Sequence, residues 1–114
     1  MKTKHIVLLA FTSVCTILFA QQDKVVEATV KVFGNCAECK ERIEGALKID
    51  EVKFVKWNKN SKQLKLAYES TITIDSLKQR IASVGHDTEG FTAPDSVYAE
   101  LPACCLYRES PNTH

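Results

Sequence analysis

The spacing of apolar residues limits the fold more than any other feature of this sequence. Residues 25–33 alternate between apolar and polar side chains, which predicts a strand with one buried face. After Gly34 and Asn35, which interrupt the strand, apolar side chains recur at helical spacing from Cys39 to Leu47. The first predicted elements are therefore a strand and a helix joined by a short loop.

The same two periods appear again further along the chain. Residues 52–58 and 64–68 are predicted as strands, and the polar segment 59–62 between them is typical of a hairpin turn. A second helix is predicted next, with Thr73 or Asp75 as its N-terminal cap. Its apolar stripe consists of Leu77, Ile81 and Val84.

The second helix is predicted to end at Gly85, where a helix commonly closes with a glycine, and residues 86–91 to form a short fourth strand. The order of elements is then βαββαβ. This order predicts an α+β fold, a ferredoxin-like sandwich in which an antiparallel sheet carries both helices on one face. One domain of this kind accounts for residues 21–92.

The residues after this core form an extension, which we assign to residues 93–114. Thr92 is predicted to cap a short third helix, and Pro94 fits its first turn. The helix is predicted to end near Leu101. A tail with two adjacent cysteines follows it.

Residues 1–20 have the order of charge and side-chain size that is typical of a secretory signal peptide. Two lysines precede the apolar segment 6–19, and the small residue Ala20 follows it. Cleavage after Ala20 makes Gln21 the first residue of an exported protein, periplasmic or secreted, with no stable insertion in a membrane. Two other interpretations stay open: a buried N-terminal helix, and a lipoprotein cut before Cys15.

Charge and motif content argue against two broad functions. The formal net charge is +1 and no basic stripe is present, so binding to nucleic acid is not expected. The sequence contains no Ser-His-Asp set, no paired carboxylates in a motif and no glycine-rich phosphate loop. We therefore expect a protein that is not an enzyme.

Cys36 and Cys39 are the main candidates for chemistry, because a CxxC pair at a helix start brings two thiols together. The helix N-terminus favours thiolates, and two thiolates can bind one soft cation. Copper(I), mercury(II), zinc(II) and cadmium(II) all accept such ligands. Thiol–disulfide redox proteins have the same local arrangement. A structural disulfide is a third interpretation, although so short a loop gains little stability from it.

The segment 30–47 resembles the heavy-metal-associated domain of copper metallochaperones, of the N-terminal repeats of copper-exporting ATPases and of the periplasmic mercuric-ion binding protein. The resemblance extends over residues 25–91. The family motif is Gly-Met-x-Cys-x-x-Cys, and the helical pattern of residues 40–47 after it also matches. Gly34 occupies the position of the Met, whose side chain fills the core below the loop in the family. We predict that Phe33 fills this space here.

The resemblance implies a protein that binds a soft metal ion at the CxxC loop, with copper(I) as the first candidate and mercury, zinc or cadmium as others. It also implies that the protein either sequesters the ion as a scavenger or passes it to a partner, such as a metal-transporting membrane protein, by exchange of thiolate ligands. The alternative is a thiol–disulfide redox protein, in which Cys36 attacks and Cys104 or Cys105 is its partner. Metal content per chain and disulfide-reductase activity would separate the two.

Three further residues are candidate neighbours of the CxxC pair. His86 follows the second helix, which points back to the metal loop in this topology. It is predicted as a third ligand or as a protonated neighbour that offsets the charge of the thiolates, and an ordinary exposed loop histidine stays open as well. Cys104 and Cys105 can reach the loop along the chain, and we predict that they join Cys36 and Cys39 as metal ligands. Disulfides with the CxxC pair, a separate site and a dimer bridge stay open.

Overall fold

The computed structural model describes residues 24–109. The predicted signal peptide and its cleavage site lie outside the described residues, as do residues 110–114. The elements of the described chain are β1 (Val25–Lys31), α1 (Ala37–Ala46), β2 (Val52–Trp57), β3 (Gln63–Glu69), α2 (Ile74–Ser83), α3 (Asp95–Tyr98) and two 3-10 turns (Ala103–Cys105 and Tyr107–Glu109). None of the helices within this range is long and apolar enough to cross a membrane.

The three strands form one antiparallel sheet in the order β1-β3-β2. β3 is central, and its Leu64 faces Val30 of β1 and Trp57 of β2. One face of the sheet is buried because both helices pack against it, and Ile43 of α1 and Leu77 of α2 belong to the same core. The architecture is the α+β ferredoxin-like sandwich predicted from the sequence.

The predicted fourth strand, residues 86–91, is wrong in its extent. Thr88 forms an isolated bridge with Val32, just beyond β1, and a second bridge with Phe91. Gly90 lies inside this second bridge with a φ of +86°, so the segment folds back on itself instead of continuing along β1. The predicted fourth strand is therefore reduced to the single bridge between Thr88 and Val32, after which the chain turns away from the sheet toward the tail.

The ends of α2 follow the sequence signals. The Thr73 hydroxyl oxygen accepts a hydrogen bond from the Ser76 N–H at 3.2 Å and caps the helix, while Asp75 lies within the first turn. Gly85 has a φ of +104°, a conformation that suits a residue just past a helix end. A Cβ at Gly85 would lie 2.9 Å from the Leu101 side chain, so the glycine also lets the residues after α3 pack closely against the end of α2.

The third helix is shorter than predicted and has a different cap. α3 begins at Asp95, and the Pro94 carbonyl accepts hydrogen bonds from the N–H groups of Val97 and Tyr98 at 3.0 and 2.9 Å. Pro94 is therefore the N-cap residue, and Thr92, predicted as the cap, lies two positions too early. Beyond α3 the chain enters the first 3-10 turn, which contains the two tail cysteines.

Candidate metal centre

The CxxC loop lies between β1 and α1, and α1 begins two residues earlier than the apolar pattern indicated. Cys36 is the N-cap residue, with an extended backbone at φ −144°, and Cys39 lies in the first helical turn. Their Sγ atoms are 3.2 Å apart. Cys39 is fully buried and Cys36 is half-buried, so one thiol belongs to the core and the other is open to solvent.

Trp57 supports this loop from below and takes the place that the family motif gives to a Met side chain. A Cβ at Gly34 would lie 3.0 Å from the Trp57 ring and 3.1 Å from the Cys39 Cβ. The Trp57 indole N–H donates to the Val32 carbonyl at 3.0 Å, which fixes the ring. The prediction that Phe33 fills this space is wrong, because Trp57 is 1% exposed and directly below the loop, whereas Phe33 is only half-buried.

Lys62 connects the turn between β2 and β3 to the same loop. Its backbone is left-handed, with a φ of +63°, and its ammonium group donates to the Gly34 carbonyl. The Nζ atom lies 5.8 Å from the centroid of the Trp57 ring. Burial lowers the pKa of Lys62, while the nearby Cys39 and Cys36 act in the opposite direction. A cation therefore lies close to the CxxC pair.

The tail brings two more sulfur atoms to Cys36. The Cys36 Sγ lies 3.0 Å from that of Cys105 and 3.5 Å from that of Cys104. The two tail sulfurs are 3.8 Å apart. These three Sγ atoms all lie within 4.8 Å of one another, and all four cysteines of the described chain are free thiols. The structure thus places all four cysteines that the sequence singled out around the Cys36 sulfur, with Cys39 next to Cys36 but outside this group of three.

Tyr107 holds the tail in this position without help from the thiols. Its hydroxyl donates to the Gly85 carbonyl and accepts from the Asp87 N–H, both at 2.8 Å. The buried Tyr107 ring stacks on the His86 ring, with 5.3 Å between the centroids. The segment that follows α2 is therefore the surface on which the tail is fixed.

The Arg108 guanidinium completes this anchor. It donates to both carboxylate oxygens of Asp87, at 2.8 and 3.0 Å, and to the Ala93 carbonyl at 2.8 Å. Burial opposes ionisation of Asp87, but the hydrogen bonds from Arg108 outweigh it and lower the pKa of Asp87. Neither residue was singled out from the sequence, because the two are 21 positions apart and no local pattern marks them.

The two tail thiols have neighbours of opposite charge, and both neighbours are on α1. Arg42 Nη1 donates to the Cys105 Sγ at 3.3 Å, and Cys105 is fully buried. The exposed Cys104 thiol donates to the Glu38 carboxylate at 3.4 Å. Helix α1 therefore stabilises negative charge on one tail sulfur and disfavours it on the other. Arg42 and Glu38 were also missed from the sequence, where charged residues on a helix are too common to be a signal.

Cys36 is the most acidic of the four thiols. Burial alone would raise the pKa of Cys36, but hydrogen bonds from the thiols of Cys105 and Cys39 outweigh it and lower this pKa to about 7. A substantial fraction of Cys36 is therefore thiolate at neutral pH. The sulfur at the centre of the cluster is also the one that carries its negative charge.

The other three thiols stay protonated around this thiolate. Burial raises the pKa of Cys39. The hydrogen bond with Cys36 raises the pKa of Cys104 to about 12. Burial, together with the thiols of Cys39 and Cys36, raises the pKa of Cys105 to about 12, against the effect of Arg42. A metal ion that enters such a group releases protons as it binds.

His86 lies behind the loop and outside the group of three sulfurs. Its Nδ1 atom is 2.8 Å from the Phe33 carbonyl, to which it donates, so the lone pair is on Nε2. This Nε2 atom is buried and has no hydrogen-bond partner among the described residues. Burial lowers the pKa of His86 to about 4, so its ring is neutral at pH 7. This argues against the predicted role of His86 as a protonated group that offsets the thiolate charge. His86 supports the loop backbone, and its role as a third ligand stays a prediction.

Comparison with known proteins supports the fold of the core. No family model matches the chain, and no curated protein matches it in sequence. Among solved structures, the CopZ metallochaperone is 27% identical with a TM-score of 0.53, over 55% of this chain and 98% of CopZ.

Two further structures show the same fold at lower identity. One is a protein of Bacillus anthracis, provisionally named a copper-ion-binding protein, with 23% identity and a TM-score of 0.55 over 58% of this chain and 97% of its own. The other is the CsoZ metallochaperone, with 19% identity and a TM-score of 0.51 over 57% of this chain and 97% of its own. This chain therefore contains a domain with the heavy-metal-associated fold of copper metallochaperones, to which a tail with Cys104 and Cys105 is added.

Proposed function

We propose that this protein binds a soft metal ion, with copper(I) as its main cargo, and passes the ion to a partner by exchange of thiolate ligands. The observation that carries the proposal is the central position of the Cys36 sulfur, which lies within 3.5 Å of three other cysteine sulfurs. Thiols that converge in this way are the donors that soft ions prefer. The likeness of the core to the CopZ metallochaperone supports the same function.

The spacing of the sulfurs suits a thiolate-bound ion. In a tetrahedral site with metal–sulfur bonds of about 2.3 Å, neighbouring sulfurs lie about 3.8 Å apart. The Cys104–Cys105 distance of 3.8 Å has this value, and the distances from Cys36, 3.0 and 3.5 Å, would have to lengthen for a metal to fit. Arg42 and Lys62 offset part of the charge of the bound thiolates. Copper(I) uses two or three of the sulfurs, whereas zinc(II) or cadmium(II) would use all four.

We place this function outside the cytosol, in the periplasm or in the secreted fraction. The support is the pattern of residues 1–20, in which two lysines, an apolar segment and Ala20 follow one another as in a signal peptide. A partner that fits this location is a metal-transporting membrane protein with thiol ligands of its own. Mass measurement of the protein from its native host tests the export step, since cleavage leaves Gln21 as the first residue.

A copper(I) titration of the reduced protein tests the binding function. We expect stoichiometric tight binding, lost in Cys36→Ser and in Cys39→Ser, and weakened in the double variant Cys104→Ser/Cys105→Ser. Ala103→Ser is a matched control, because Ala103 is an exposed residue of the same tail and carries no thiol. Tight stoichiometric binding by Cys36→Ser/Cys39→Ser would rule the proposal out.

A thiol–disulfide redox function is the second candidate, and the acidity of Cys36 favours it. A thiol with a pKa of about 7 is a competent nucleophile at neutral pH, and Cys105, with its sulfur at 3.0 Å, is in place to resolve a mixed disulfide. Sustained reduction of insulin disulfides with dithiothreitol as the reductant would support this function. Copper(I) binding without such turnover would support the metal carrier.

A further inference from the structure

The two tail thiols are adjacent in sequence but are not equivalent as ligands. Cys105 is 0% exposed, and the next 3-10 turn, with Tyr107 at its start, is fixed to the core. Cys104 is exposed, and its sulfur lies on the outer side of the cluster. An incoming ligand therefore meets Cys104 before it meets the inner thiols.

Metal binding removes the thiol protons, and this changes what each charged neighbour does. A Cys105 thiolate is stabilised by Arg42, whose guanidinium donates to the sulfur from 3.3 Å. A Cys104 thiolate lies beside the Glu38 carboxylate, where the present separation of 3.4 Å depends on the thiol proton between them. Once this proton is lost, the two negative charges repel. Cys104 therefore makes the weaker bond to the metal.

The anchor of the tail allows Cys104 to move independently. Tyr107 and Arg108 are held by hydrogen bonds to the segment after α2, and none of these bonds involves Cys104. The exposed Cys104 side chain can rotate into solvent, whereas the Cys105 side chain is enclosed by the core. Release of one sulfur thus requires no unfolding of the tail.

We infer that Cys104 is the ligand that leaves first when the ion is transferred to a thiol-bearing partner, and that Glu38 promotes its departure. In this step a bond forms between the metal and the partner's sulfur, and the bond between the metal and the Cys104 sulfur breaks. The proton of the partner's thiol ends on Cys104, and the ion keeps its oxidation state. This inference rests on the proposed metal-binding function and adds the order of ligand release to it.

The rate of copper(I) transfer to an excess of a colorimetric copper(I) chelator, followed by stopped-flow absorbance, tests the role of Glu38. The chelator takes the part of the incoming partner. We expect Glu38→Gln to slow transfer about fivefold, the size of effect that an exposed pair of charges supports. Glu41→Gln is the matched control, because Glu41 is also an exposed glutamate of α1 and has no contact with Cys104 among the described hydrogen bonds. It should transfer at the wild-type rate.

Serine variants of the tail separate the two thiols. Cys104→Ser opens a coordination position, so we expect faster transfer than in the wild type and a modest loss of equilibrium affinity. Cys105→Ser should lose far more affinity, because it removes a buried ligand. If Glu38→Gln and Cys104→Ser bind copper(I) tightly and both transfer it at the wild-type rate, the inference is wrong while the binding function stands. If the wild-type protein does not bind copper(I), both fail.

Discussion

Arg108 binds both carboxylate oxygens of Asp87, with Nη2 2.8 Å from Oδ1 and Nε 3.0 Å from Oδ2. Asp87 belongs to the segment after α2, and Arg108 to the second 3-10 turn of the tail. A guanidinium and a carboxylate that share two hydrogen bonds form a strong pair. Together with Tyr107, this pair fixes the tail beside the CxxC loop before any metal is bound.

Replacement of Asp87 by asparagine should loosen the tail and destabilise the fold. The change removes the negative charge and leaves a partly buried guanidinium without its counter-ion, so we expect the free energy of unfolding to fall by about 1–3 kcal/mol. Urea denaturation of the reduced protein measures this change, and limited proteolysis reports on the tail.

Asp95→Asn is the matched control for that experiment. Asp95 also pairs with Arg108, at 3.0 Å, but its side chain is 98% exposed. We therefore expect a change below about 0.5 kcal/mol, as is common for solvent-exposed ion pairs. Equal losses in the two variants would show that the Asp87 pair is not the anchor.

The elements of the core and the CxxC pair could be predicted because each depends on residues that are close in sequence. Alternation over seven residues is enough to indicate β1, and the spacing of Cys36 and Cys39 is itself the signal for the loop. The hydroxyl of Thr73 and the backbone freedom of Gly85 mark the ends of α2 in the same local way.

The remaining features depend on contacts between distant segments. Trp57 reaches the space below Gly34 because β2 pairs with β3, which no local pattern reveals. A glycine at position 90 is compatible with a short strand and with a tight turn. Only the structure, in which Gly90 has a positive φ, shows that the segment is a turn. Convergence of the tail cysteines on the loop was one of several predicted outcomes, because the Asp87–Arg108 pair that positions them has no sequence signature.

His86 should make the stability of the metal-free protein depend on pH. Burial lowers its pKa from 6.5 to about 4 in the folded state, so the unfolded chain binds a proton first as the pH falls. The contribution to stability is complete above pH 6.5 and is lost as the pH falls toward 4, by up to about 3 kcal/mol. Urea denaturation at several pH values in this window measures the loss.

The variant His86→Gln supplies the comparison for this pH series. Glutamine keeps an N–H donor for the Phe33 carbonyl but does not titrate, so its stability should change less across the same window. The other histidines of the chain are present in both proteins and cancel in the difference. Parallel curves for the two proteins would contradict the assignment of the pH dependence to His86.

Gly34→Met, which restores the residue of the family motif, should destabilise this protein. A Cβ at Gly34 would lie 3.0 Å from the Trp57 ring, so the larger side chain overpacks the space below the loop and costs about 1–3 kcal/mol. In the double variant Gly34→Met/Trp57→Leu the new side chain has room, so the double loss should be smaller than the sum of the single losses by at least about 1 kcal/mol. Urea denaturation of the four proteins gives this coupling.

Gly45→Ala is the control for glycine replacement in general. A Cβ at Gly45 meets no atom within 4 Å, and alanine is the better helix former, so a gain in stability of up to about 1 kcal/mol is expected.

Strictly additive losses for Gly34→Met and Trp57→Leu would show that the two side chains do not compete for one space.

Cys36 should react with iodoacetamide before Cys104 in the reduced, metal-free protein at neutral pH, although Cys104 is the more exposed thiol. The reagent attacks thiolates, and the pKa values of about 7 for Cys36 and about 12 for Cys104 leave only Cys36 with a large thiolate fraction. Peptide mass mapping after short labelling times identifies the first modified residue. In urea the preference should disappear, because hydrogen bonds from Cys105 and Cys39 no longer stabilise one thiolate. Faster labelling of Cys104 in the folded protein would show that exposure, and not the sulfur cluster, controls reactivity.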